Sequence, residues 1–82
     1  VNITQQKLTR QAVRMTATTL ILAQGCTTAV LVKNALRRRG YNVYLSEVSK
    51  RLFEVARREG WSIEDIGSGR VFYFAQVMQS VQ

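Results

Sequence analysis

Histidine is missing from this 82-residue chain, proline is missing too, and cysteine occurs once. Without an imidazole, a His/Cys metal site is excluded, and so is any mechanism that needs an imidazole base. The lone Cys26 has no partner for an internal disulfide, so the reading assigns the chain to a reducing cytosol. Carboxylates number only five. No nucleophile–base pair or metal set can be assembled from the remainder, so the expectation is no enzyme, no cofactor and no small-molecule substrate. Apolar runs are short, Leu20 to Ala23 being an example, and none approaches the ~20 residues of a membrane span. Nor does any stretch show the basic, apolar and cleavage regions of a signal peptide, so neither membrane insertion nor export is expected. With no proline, breaks between elements must be read from glycines and capping residues.

Positive charge is abundant. Twelve Lys and Arg stand against five Asp and Glu, a formal net charge of +7. Residues 1–40 carry Lys7, Arg10, Arg14, Lys33, Arg37, Arg38 and Arg39 and no acid, whereas residues 41–82 balance to zero. Solubility does not require an acid-free half. A field concentrated in this way attracts polyanions over about a Debye length, and nucleic acid is the polyanion a small cytosolic protein meets most often.

The composition, 46% hydrophobic and 21% charged, is that of a globular chain. Its length predicts one domain over 1–82, with a core over about 8–75. A first helix is predicted over 8–24. Val13, Ala17, Leu20 and Ile21 form one apolar stripe, while Leu8, Ala12, Met15 and Leu22 lie on another side, so this helix is expected to be buried twice, once by its own domain and once by a partner. Thr27 or Thr28 caps a second helix over 28–39, which turns Ala29, Val32, Ala35 and Leu36 inward and ends at Gly40. Tyr41 to Tyr44 read as a short extended crossing with Val43 inward. A third helix over 45–59 has the clearest pattern: Leu45, Val48, Leu52, Val55, Ala56 and Glu59 fall in one sector, Ser46, Lys50, Phe53, Glu54 and Arg57 in the opposite one. Residues 61–75 predict a hairpin turning at Gly67-Ser68-Gly69, in preference to one helical turn at 63–66 capped by Ser62 and Asp65. Trp61, Phe72 and Phe74 alternate along it and are expected in the core rather than as a stacking platform for single strands. Residues 76–82 are a tail or a short helix.

Three helices followed by a two-stranded ribbon resemble the winged helix-turn-helix DNA-binding domain. The residues that carry the resemblance are Thr28, Val32, Leu36, Gly40 and Tyr41, then Val43, Val48 and Leu52, then Gly67 to Gly69 with Arg70 and Phe72. The resemblance implies an α+β, mainly α fold. It makes 45–59 the recognition helix in the major groove, sets the 67–70 wing on the backbone or in the minor groove, and makes double-stranded DNA the partner. Size and resemblance together suggest a small transcriptional regulator of bacterial or phage type, nucleoid-associated in the cytoplasm.

Physical chemistry supplies candidates for each role. A helix that reads a groove needs an apolar flank to hold it and a polar flank of short and cationic side chains. Ser46, Glu47, Ser49, Lys50 and Arg57 are the base-reading candidates. For Glu47 and Glu54 the simpler expectation is a pairing with Arg51 and Arg58, each four residues on. Thr28, Arg37, Arg38, Arg39, Arg51, Arg58 and Arg70 are the phosphate candidates. A helix end needs one cation, so the surplus at 37–39 is better explained by flanking phosphates. Phe53 has no structural reason to sit on a polar sector unless it packs beneath the wing, touches a thymine methyl or meets a partner. Val77, Met78 and Val81, or the first helix, are candidate contacts for a homodimer, because one module covers only roughly 600–1,000 Å² on DNA. The alternative function is a protein–protein adaptor of the same fold, with Phe53 and the C-terminal apolar residues as its contacts.

Overall fold

The computed structural model describes residues 7–75; Val77, Met78 and Val81 lie outside the described residues. Thr9 is in extended conformation, and its Oγ1 accepts a hydrogen bond from the Ala12 N–H at 3.0 Å. That cap sets the start of helix α1 (Arg10–Gln24), two residues later than the apolar pattern alone suggests. Thr28 caps α2 (Ala29–Arg38) in the same way, its Oγ1 accepting from the Leu31 N–H at 3.3 Å. The third helix, α3 (Leu45–Glu59), has the predicted bounds. It stops at Gly60, whose φ of +75° is a left-handed conformation that side chains other than hydrogen resist.

Strands β1 (Ser62–Asp65) and β2 (Arg70–Tyr73) form the predicted antiparallel hairpin, with Ile63 opposite Phe72 and Asp65 opposite Arg70. Asp65 caps no helical turn. Its Oδ1 accepts from the Gly67 N–H at 2.9 Å and steadies the loop, while the Ile66 N–H bonds the Gly69 carbonyl at 2.9 Å. The layout is α+β, mainly α, and matches a three-helix winged-helix arrangement. No described helix is long and apolar enough to cross a membrane.

One pairing lies beyond the hairpin. Thr27, between α1 and α2, donates its N–H to the Phe72 carbonyl at 2.9 Å and accepts the Phe72 N–H at 2.8 Å. This reciprocal bridge gives β2 a partner on its second edge and fastens the wing to the helices. It is also why Thr27 is buried and why capping falls to Thr28.

The core lies where the three helices meet under β2: Val13 and Ala17 of α1, Val32 and Leu36 of α2, Val48, Leu52, Val55 and Ala56 of α3, with Val43 and Phe72. Each large aliphatic or aromatic side chain buried here contributes about 1.5–3 kcal/mol over its exposed state. Trp61 packs on the edge of this cluster and meets the Phe74 ring at a centroid distance of 5.5 Å. Leu8, Ala12 and Leu20 pack against the core, but Met15 and Leu22 stand 52% and 73% exposed, because α2 and α3 both approach from the Val13–Ala17 side. Leu45 and Glu59, which fall in the inward sector of α3 by angle, are also exposed, since the core ends before the helix does.

Replacing Leu52 by Ala should lower unfolding stability by about 2–5 kcal/mol in urea titration, through the cavity left at the helix junction. Thr16 points the other way: its Oγ1 is buried on α1 with no hydrogen-bond partner. Thr16→Val keeps the shape, removes the unsatisfied hydroxyl and should raise stability by about 1 kcal/mol in the same titration.

Candidate nucleic-acid interface

Helix α3 divides as its sequence predicts. With Val48, Leu52, Val55 and Ala56 turned inward, Ser46, Glu47, Lys50, Glu54, Arg57 and Arg58 are exposed, while Ser49, Arg51 and Phe53 are half-buried at the margins. Lys50 shares a shallow hollow with Glu47, Arg51 and Glu54. By helical angle Lys50 stands opposite the inward sector, in mixed company. Arg51 is held closer to the body, its Nε buried and without a partner, so that nitrogen forms no bond to Glu47.

Phe53 meets the wing. The Arg70 guanidinium lies 5.0 Å from the centre of its ring and that of Arg57 lies 5.8 Å away, both within cation–π range. The sequence puts Arg57 among the base readers and Arg70 at the wing; the ring draws the two into one cationic pair at the junction of α3 and β2. An aromatic residue on the polar sector thus has a structural role, holding the first residue of β2 against the helix.

The arginine run at the end of α2 is not uniform. Arg37 donates from both Nε and Nη2 to the Val43 carbonyl, at 3.1 and 2.9 Å. A fork of this kind fixes the 39–44 crossing to the helix and satisfies a carbonyl just ahead of α3. Arg38 and Arg39 are exposed, and their side chains make no hydrogen bond to the described residues. Of these three arginines, Arg38 and Arg39 are unengaged among the described residues, and Arg37 is committed in part to the fold.

Thr28, also a phosphate candidate, lines a cleft of about 400 Å³ between the start of α2, the start of α3 and the wing. Val30, Leu45, Ser49 and Ile66 share its walls, and Val30, Leu45 and Ile66 are 46%, 42% and 57% exposed. The sequence-based candidates include none of these three apolar residues. Leu45 fits the inward sector by angle, Val30 is off the stripe of its helix, and Ile66 belongs to a loop. No local pattern brings the three together.

Among the described residues no three His, Cys, Asp or Glu side chains come together as metal ligands would. Comparison of the chain with protein-family models, with curated proteins and with solved structures finds no match. Function has to be read from where these side chains stand.

The unequal arginines give a test. Arg37→Ala should lower stability by about 1–2 kcal/mol, because the Val43 carbonyl loses a charge-assisted fork. Arg38→Ala and Arg39→Ala should stay within about 0.5 kcal/mol of the parent in thermal or urea unfolding.

Proposed function

We propose that the protein binds double-stranded DNA and discriminates between sequences, with α3 in the major groove and the hairpin against the flanking backbone, as a small transcriptional regulator would. The observation that carries this reading is the outward face of α3, where Ser46 and Lys50 are exposed over a buried aliphatic flank, with Arg70 of the wing held beside it on the Phe53 ring. An α-helix fits the major groove, where hydroxyls and cations reach donor and acceptor patterns that differ among base pairs. Lys50 and Ser46 are the base readers in this proposal, with Ser49 and Glu47 beside them. Arg57 and Arg70, drawn together at Phe53, serve the backbone of one strand. Arg38 and Arg39 add phosphate contacts, with Thr28 and the free N–H groups of the first turn of α2 beside the cleft.

The exposed Val30, Leu45 and Ile66 fit this reading if the cleft receives thymine methyl groups. The same residues favour the second reading, a protein–protein adaptor, in which the cleft takes apolar side chains of a partner.

Selection from random duplexes should enrich a defined site, and affinity for it should fall with salt. With about four to six phosphates neutralised, log affinity against log salt has a slope of about −4 to −5. Lys50→Ala and Ser46→Ala should narrow the gap between selected and scrambled duplexes, whereas Arg38→Ala with Arg39→Ala should weaken both alike. A slope near zero on every duplex would remove the DNA reading and leave the adaptor.

A further inference from the structure

On the flank of α3 away from the wing, α1 and α3 enclose an open hollow of about 560 Å³ lined by Arg10, Gln11 and Arg14 of α1 and by Arg58 and Glu59 of α3. Three arginines from two helices line it together with one glutamate. Nothing in the first turn of α1 relieves them: it holds no acid, and Arg10 lies at the positive end of that helix. Such a grouping is self-repelling in the free protein and is relieved by a bound anion with several acceptor oxygens.

Its place in the fold identifies the anion. Successive residues of a helix advance about 100°, so Arg58 and Phe53 are separated by about 140° around α3. Phe53 marks the wing side, where Arg70 lies over its ring, and Arg58 marks the α1 side. Lys50, Glu54 and Arg57 occupy the exposed arc between them. A helix in the major groove, about 12 Å wide, has a phosphate strand along each wall. We propose that the Arg10–Arg14–Arg58 hollow is a second backbone clamp, which takes phosphodiesters of the strand opposite the one met by Arg70 and Arg57. The clamp rests on the duplex-binding reading. It adds Arg10 and Arg14 to the contact set and gives Arg58 its partners, so that the protein grips both walls of the groove. Glu59 shares the lining, so the hollow suits the edge of a phosphate strand rather than full enclosure of an anion.

Fluorescence anisotropy with a mixed-sequence duplex of about two helical turns (~20 bp) tests it, with the protein titrated at several salt concentrations. Arg14→Gln with Arg58→Gln should make the salt slope shallower by about 2, roughly one unit for each phosphate that is no longer neutralised. Arg14→Lys with Arg58→Lys should restore the parent slope, because a phosphate accepts a point charge. A glutamine variant that binds with the parent slope overturns the clamp and leaves duplex binding standing. So does a lysine variant whose slope stays shallow, since packing rather than charge then accounts for the change. Failure of the parent protein to bind the duplex overturns both readings.

Discussion

Two backbone hydrogen bonds hold the wing of this molecule to its helices: the reciprocal pair between Thr27 and Phe72. A two-stranded hairpin by itself is marginal in water. Here β2 has β1 on one edge and Thr27 on the other, while the Phe72 side chain reaches the centre of the core. The hairpin is thereby part of the helical body rather than an appendage. Its direction is fixed relative to α2 and α3, and the position of Arg70 over Phe53 follows from that. The cleft between α2, α3 and the wing has the same origin, since its walls meet only because the wing is fastened there.

The electrostatic design reads outward from that constraint. An outward helix face with Lys50 at its crest is bordered on one side by Arg57 and Arg70 and on the other by Arg14 and Arg58. The excess charge is distributed in small groups from different elements, each beside a different neighbour. Arg37 is set apart from them, because its guanidinium braces the Val43 carbonyl at the entry to α3. Charge counting along the chain would weigh Arg37 equally with Arg38 and Arg39. All three are exposed, but geometry makes the first a brace for the fold and gives the other two no side-chain hydrogen bond among the described residues.

Much of this architecture is legible in the sequence. The sector of Val48, Leu52, Val55 and Ala56 and the glycine at 60 define α3 to the residue, because an amphipathic helix with a left-handed stop leaves few alternatives. Val71 to Phe74 favour a strand over the rival helical turn at 63–66, and the hairpin is there. Local pattern cannot reveal contacts made across the fold. Thr27 is one polar residue in a short connection, and a single bridge has no period to detect. Leu45 fits an inward sector by angle yet lies beyond the end of the core. Phe53 is anomalous on its own helix and makes sense only with Arg70, which comes from another element to cover it. The hollow at Arg10, Arg14 and Arg58 likewise needs the packing of α1 on α3, which no spacing within one helix encodes.

The bond pair at Thr27 and Phe72 joins points more than half the chain apart. Closing so large a loop costs entropy, and the packing of α1 on α3, which brings Arg10 and Arg14 to Arg58, spans a similar length of chain. The helical trio and the ribbon share one core through Phe72, so they are joined in one cooperative unit. Loss of the bond pair would at once part Arg70 from its aromatic seat and draw Phe72 from the core, which ties the geometry of the wing to the survival of the scaffold.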